Sequence, residues 1–180
     1  MSRLVLIDRD GTINVEKHYI SAPEQIELFP NSADGIKLLR DLGLRVVIVT
    51  NQSGIGRGFF DLDKLAEIHN QLQTLLNESD AKVDAIYFCP HLPADFCDCR
   101  KPLTAMARQA ANEFEAELSE SFVIGDNFGD IELGKNIKAT TILVRTGYGQ
   151  KVEQENLTKP DYVVDDLFEA ACLIKKILGN

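Results

Sequence analysis

The chain has 180 residues, 44% of them hydrophobic and 26% charged, with no tryptophan and a formal charge of -9. That length favours one domain with a single substantial core, and the acidic balance argues against a broad nucleic-acid surface. No apolar run approaches a membrane span and no signal peptide precedes the first strand, so a cytoplasmic protein without a membrane partner is expected.

Leu4 to Ile7 is an apolar, largely branched run that reads as a strand buried on both faces, and it ends on Asp8, Arg9, Asp10 and Gly11. Ligands of open α/β sheets sit outside the carboxyl ends of the strands, so two carboxylates arriving there are aimed at the functional crevice. Val15 to Phe29, with Glu16, Lys17, His18, Tyr19 and Pro23, follows neither a helical nor an alternating period and is predicted to be a loop across the crevice mouth. Ser32 is the expected N-cap of a helix carrying Ile36, Leu38, Leu39 and Leu42, which Gly43 terminates. Leu44 to Val49 is a second buried strand, and the glycine-rich run Thr50-Asn51-Gln52-Ser53-Gly54-Ile55-Gly56-Arg57-Gly58 follows it. Such a loop can wrap backbone N–H groups and a hydroxyl around phosphate oxygens.

Asp61 to about Ser79 is an amphipathic helix with Leu65, Ile68, Leu72, Leu75 and Leu76 inward, and His69 is read as a solvated surface residue. Ala85 to Phe88 is a short third strand. Beyond it, Cys89, His91, Cys97 and Cys99 offer three thiolates and an imidazole, a complete tetrahedral set for zinc with no position left for water. In a cytosolic chain this favours a structural metal over disulfides, and Cys172 reads as core. The cysteine loop runs straight into Arg100 and Lys101, so a metal there would fix both cations. A helix from Thr104 turns Met106, Ala110 and Phe114 inward. Phe122 to Ile124 is a strand that again ends on acid, Asp126 and Asp130. Thr141 to Val144 is a further strand, Gly147 to Gly149 a turn, Tyr162 to Val164 an edge strand and Leu167 to Leu178 the final helix.

Asp8-Arg9-Asp10-Gly11-Thr12, Thr50-Asn51, Lys101 and Gly125-Asp126 resemble, in order, the four motifs of the haloacid dehalogenase (HAD) superfamily of phosphatases. The resemblance implies a Rossmann-like α/β fold, doubly wound on a mostly parallel sheet. The short separation of the first two motifs points to a capless form, one domain over 1-180. It further implies that Asp8 is the nucleophile, Asp10 the general acid and base, Thr50 a holder of a phosphoryl oxygen and Lys101 the balancing cation. Mg²⁺ would be bound by the Asp8 and Asp126 side chains and the Asp10 carbonyl, with Asp130 in support.

The Cys-x-His, Cys-x-Cys loop is shared by the heptose-bisphosphate and histidinol-phosphate branches of that superfamily. The Thr-Asn-Gln-Ser-Gly-Ile string is similar to the former, and Ser53, where an acidic residue would suit the latter, leans the same way. The implied reaction is loss of the 7-phosphate from a heptose 1,7-bisphosphate by a monomeric enzyme. Glu16, Lys17, His18, Tyr19, Asn51, Gln52, Ser53, Arg100 and Asn127 would contact this phosphorylated sugar, and Arg100, with Arg57 and Lys17, would hold its second phosphate. Two positions depart from the branch: Leu103-Thr104-Ala105 follows Lys101-Pro102 where relatives often have x-Pro-Gly, and Asn127 stands where close relatives can have lysine. A zinc-stapled binding protein with a vestigial site is the alternative from another class.

Overall fold

Leu4, Val5, Leu6 and Ile7 are all fully buried because the strand they form, β1 (Leu4–Ile7), lies in the middle of a sheet covered on both sides. The computed structural model describes residues 2–179. The remaining strands are β2 (Arg45–Asn51), β3 (Ala85–Cys89), β4 (Phe122–Gly125), β5 (Thr140–Val144) and β6 (Tyr162–Val164). The spatial order is β3-β2-β1-β4-β5-β6, and every pairing is parallel rather than merely most of them. This is the doubly wound order, whose direction reverses between β1 and β4.

Because successive strand residues point to opposite faces, the buried runs supply two cores. On one face Val5, Ile7, Val46 and Ile48 pack against helices α1 (Ser32–Asp41), α2 (Leu62–Asn77) and α6 (Leu167–Ile177), through Ile36, Leu39, Ile68, Leu72, Ala170 and Ile174. On the other, Leu4, Leu6, Val47 and Val49 meet Met106, Ala107 and Ala110 of α3 (Ala105–Glu113) and Leu133 of α4 (Phe128–Asn136). Val152 of α5 (Gly149–Gln154) packs on Ile131 and Leu143 beside them. The segment between β1 and α1 contains one short 3-10 helix, Pro23–Gln25, so no cap domain is inserted there. Among the described residues, no helix is long and apolar enough to cross a membrane.

The structure corrects the sequence reading at several points. Asn31, in the left-handed region at φ 62°, holds the N-cap position of α1, and Ser32 is its first helical residue. Neither α4 nor α5 was anticipated. Gly129 and Gly134 weaken the helical signal of the former, and six residues are too few to display a period in the latter. His69 is not a solvated surface residue: it is 8% exposed, with its ring 6.0 Å from that of Phe88. Its position one residue after Ile68 and three before Leu72 carries it to the edge of the buried stripe of α2.

Candidate active site

β1 and β4 are adjacent and end together, so the carboxylates that follow them converge at the reversal point of the sheet. Oxygen atoms of Asp8, Asp126 and Asp130 all lie within 4.8 Å of one another. Lys101 enters this group from the cysteine loop. Its Nζ is 2.8 Å from Asp8 and 2.6 Å from Asp130, and it donates to the Val49 carbonyl at 2.7 Å. A cavity of about 460 Å³ opens over the cluster.

The charges of the cluster do not cancel. Burial, then the charge of Asp130, pushes the Asp8 carboxyl up to about 7 in spite of Lys101. Burial and the charges of Asp8 and Asp130 raise Asp126 well above the usual carboxylate range. Lys101 shows the converse. Burial works against its charge, but Asp130 and Asp8 overcome that and hold it protonated. Buried oxygen ligands carrying excess negative charge suit a hard divalent cation.

Asp10 faces a different environment. Its Oδ1 accepts from Arg9 Nε at 3.1 Å and Asn14 Nδ2 at 2.9 Å, and its Oδ2 from Arg9 Nη2 at 2.7 Å and Gln52 Nε2 at 3.0 Å. Burial alone would raise this carboxyl, yet the Arg9 charge and those bonds keep it below its ordinary value. The two carboxylates of one turn are thereby driven apart in acidity by their surroundings.

Two glycines leave Asp126 its place. Gly11, at φ +80°, has no Cβ, and one built there would stand 2.1 Å from Asp126 Oδ2. Gly147, at φ +54°, is in the same position from the opposite side. The loop after β5 adds a bond from Tyr148 N–H to Asp126 Oδ2 at 2.7 Å and one from Thr146 Oγ1 to the Gly11 carbonyl at 2.7 Å. Gly11→Ala is predicted to destabilise the protein by at least about 1–2 kcal/mol from its left-handed backbone alone. The displaced Asp126 adds to that, and a urea titration against the unsubstituted protein measures the sum.

Most of the residues singled out in the sequence line the cavity: Asp8, Asp10, Glu16, His18, Tyr19, Thr50, Asn51, Gln52, Ser53, Arg100, Lys101, Asp126 and Asn127. Their geometry alters several readings. Lys17 does not line the cavity and is turned instead to Glu27 and the Gln25 carbonyl, each at 3.0 Å. Arg57 is not in the lining either; its guanidinium lies over the Tyr19 ring, 5.6 Å from the centroid. Asn51 grips the Lys101 backbone from both ends of its amide, accepting from Lys101 N–H at 3.0 Å and donating to its carbonyl at 3.2 Å. Thr50 Oγ1 accepts from Gln52 Nε2 at 2.9 Å. The loop after β2 is not an open cradle of N–H groups. Those of Gln52, Ile55, Gly56, Arg57 and Gly58 are bonded internally or to the cysteine loop. Ser53 and Gly54 have no such backbone acceptor among the described residues, and both face the cavity.

His18 and Glu16 form the opposite wall. Glu16 accepts from the His18 backbone N–H, and burial, then the Asp10 charge, raises its carboxyl. His18 Nδ1 lies 3.1 Å from the hydroxyl of Tyr148. Tyr148 lines the cavity and was missed, since Thr146-Gly147-Tyr148-Gly149 reads only as a turn. Its position at the tip of the strand beside β4 is the signal that could have found it.

Cys89, His91, Cys97 and Cys99 are brought together beside this site. Zn–S near 2.3 Å and Zn–N near 2.0–2.1 Å at tetrahedral angles place ligand atoms roughly 3.5–3.8 Å apart. Cys89 Sγ to His91 Nδ1 is 3.4 Å, His91 Nδ1 to Cys99 Sγ 3.2 Å and Cys89 Sγ to Cys97 Sγ 3.9 Å, while Cys89 to Cys99 is tighter at 2.9 Å. The loop is tied to the strand tips by Gln52 N–H to the Cys89 carbonyl at 2.7 Å and Gly56 N–H to the Pro90 carbonyl at 3.1 Å. Arg100 donates to the His91 carbonyl at 3.3 Å.

Comparison with known proteins agrees with this arrangement. A HAD-hydrolase-like family model matches residues 98–170. The D-glycero-beta-D-manno-heptose-1,7-bisphosphate 7-phosphatase of Pseudomonas aeruginosa is 38% identical over 173 residues, covering 95% of this chain and 97% of that protein. The D-glycero-D-manno-heptose-1,7-bisphosphate 7-phosphatase of Thermosynechococcus vestitus is 37% identical, with 92% of each chain covered. Among solved structures, the D,D-heptose 1,7-bisphosphate phosphatase of B. bronchiseptica, complexed with magnesium and phosphate, superposes with a TM-score of 0.90 at 34% identity, over 97% of this chain and 99% of that one. The similarity therefore runs through both halves of the sheet and every strand tip that feeds the cavity, and the chain belongs to the heptose-bisphosphate phosphatase family of the HAD superfamily.

Proposed function

We propose that this enzyme removes the 7-phosphate of D-glycero-D-manno-heptose 1,7-bisphosphate through an aspartyl-phosphate on Asp8, in the synthesis of the heptose precursor of lipopolysaccharide. The observation that carries the reading is Lys101 Nζ held 2.8 Å from Asp8 and 2.6 Å from Asp130 beside the Asp126 carboxylate. The relatives' substrate supports the choice of sugar.

Asp8 attacks phosphorus in line as the bond to the sugar oxygen breaks, and the Asp10 carboxyl gives that oxygen a proton. In the second half, water attacks the aspartyl-phosphate while Asp10 takes a proton from it, releasing phosphate and restoring Asp8. The pairing of Asp10 with Arg9 favours the ionised form needed in this half. Lys101 and Thr50 hold phosphoryl oxygens, and the N–H groups of Ser53 and Gly54 offer two further donors. Asp8, Asp126 and the Asp10 carbonyl would hold Mg²⁺, which when bound neutralises charge on the transferring phosphoryl group. Glu16, His18, Tyr19, Gln52 and Asn127 form the wall that meets the sugar, and Arg100 is the cation placed for the second phosphate.

The test is a panel of heptose bisphosphate, its monophosphates, generic sugar phosphates and histidinol phosphate, each assayed with and without Mg²⁺. The heptose bisphosphate should be hydrolysed fastest and only with the metal. Equal turnover of generic esters would refute the substrate, and faster turnover of histidinol phosphate would move the enzyme to the other branch.

The cysteine loop is read as a structural zinc site whose product is the placement of Lys101 and Arg100. Cys99→Ser is predicted to lower bound zinc from one ion per chain toward none. It should also slow phosphate release by about 10–100-fold, as loss of a metal-site support typically does. Metal analysis and steady-state kinetics on one preparation check both, and full activity in a zinc-free variant would contradict the coupling.

A further inference from the structure

Two buried nitrogens in the layer behind Asp10 have no hydrogen-bond partner among the described residues: Arg9 Nη1 and His69 Nε2. Arg9 is fully buried and His69 is 8% exposed, so neither can rely on bulk solvent. Unpaired buried polar groups of this kind are rare because each has given up its hydration with nothing in exchange.

The fold brings the pair to the same side of the sheet. Arg9 lies in the turn just after Ile7, which shares one core cluster with Ile68 and Leu72, the neighbours of His69 on α2, and the Arg9 charge acts on the His69 ring. His69 also stands against Phe88, which pairs across the sheet with Thr50. Thr50 bonds Gln52, and Gln52 bonds both Asp10 and Arg9. Burial first, and then the Arg9 charge, lowers the His69 imidazole to about 3, which leaves it neutral with one ring nitrogen free to accept. Arg9 places three of its five guanidinium N–H groups, two on Asp10 and one on Gln52. The two N–H groups of Nη1 have no acceptor among the described residues, and His69 Nε2 is a buried acceptor without a donor on the facing helix.

We propose that His69 Nε2 accepts from Arg9 Nη1 across one buried water molecule, and that this contact makes His69 a positioning residue for the Arg9–Asp10 pair. A water with two to four polar partners is the ordinary solution for buried groups too far apart to bond directly. Thr12 Oγ1 and Asn14 Oδ1, on the turn that follows Arg9, are buried and unpartnered as well and can supply further contacts. The guanidinium is then held in the plane that grips Asp10 from two sides. Without the acceptor on α2 it rotates toward another partner, and the Asp10 carboxyl moves with it. The inference rests on the acid–base reading of Asp10.

The experiment compares His69→Leu with His69→Gln, because glutamine carries an acceptor oxygen to about the position of Nε2 and leucine fills the space without one. kcat should fall about tenfold in the leucine variant, with KM changed by less than about twofold, since 1.4 kcal/mol is a factor of ten. The glutamine variant should recover kcat to within about threefold of the parent. Nitrogen NMR of the unsubstituted protein, which does not depend on activity, should find the His69 proton on Nδ1 and Nε2 bare. A leucine variant with parental kcat, a glutamine variant as slow as the leucine one, or a proton on Nε2 would each overturn the proposal. If instead Asp10→Asn kept its activity, the acid–base reading of Asp10 would fail, while the tautomer and the Arg9 contact would stand.

Discussion

Asp8→Asn is expected to lower phosphate release by on the order of 10⁴-fold or more, because an amide cannot carry the phosphoryl group and the remaining machinery cannot replace a nucleophile. The fold should survive. Asparagine is nearly the same shape, and its oxygen can still accept from the Arg9 backbone N–H, which lies 2.7 Å from Asp8 Oδ1, and from Lys101. Its effect on stability should have the opposite sign. Burial and the Asp130 charge raise the Asp8 carboxyl from 3.8 to about 7. Between those values the metal-free folded chain holds a proton that the unfolded chain has released, so folding weakens as pH rises through that window. Above it the full penalty of an ionised Asp8 remains. Without Mg²⁺, the variant should therefore melt higher than the parent near pH 8, and the gap should close toward about pH 5, where Asp8 is already neutral. Calorimetry at the two pH values measures this. A gap that widens in acid would refute the electrostatic account, and retained activity would refute the nucleophile.

Lys101→Met should damage both properties at once. The Lys101 ammonium is buried between Asp8 and Asp130 and also donates to the Val49 carbonyl. Methionine has a similar length and no charge, so the substitution removes the only cation touching these acids among the described residues and leaves them facing one another. Removing one partner of a buried ion pair typically costs about 3–5 kcal/mol. The loss should be greatest near pH 8 and smaller near about pH 5, since Asp8, raised to about 7, takes up a proton in between. Mg²⁺ should restore part of the melting temperature by supplying positive charge to the same oxygens. Activity should fall by on the order of 10³-fold, the scale of losing one preorganised charge at a transferring group. A variant as stable as the parent at every pH would show that the acids do not repel.

The parts of this molecule that were legible in the sequence are those whose chemistry is written in consecutive residues. Strand tips ending on Asp8, Asp10 and Asp126, the thiolate loop and Lys101 after it each announce a function within a few positions, and the parallel sheet converts those tips into one crevice. What stayed hidden depends on direction rather than identity. Asn51 belongs to a motif yet turns its amide to the Lys101 backbone, and Lys17 sits among cavity residues yet points to Glu27. His69 looked solvated because its neighbours Glu67 and Asn70 are polar, although its own helical angle buries it. Tyr148 reaches the site only because β5 lies next to β4, a fact of topology that no local pattern carries.

The bonds from the loop after β5 to the first turn also bear on how the protein is made. β1 can pair with β2 as soon as residue 51 is synthesised, but its other edge waits for β4. The Gly11 carbonyl and Asp126 receive their last partners only with Thr146 and Tyr148. A nascent chain shorter than that is a half-sheet with a bare central edge and scattered acids. The ribosome therefore has to deliver the chain as far as Tyr148 before the acid cluster can take up a divalent ion as a unit, long after the cysteine loop is complete.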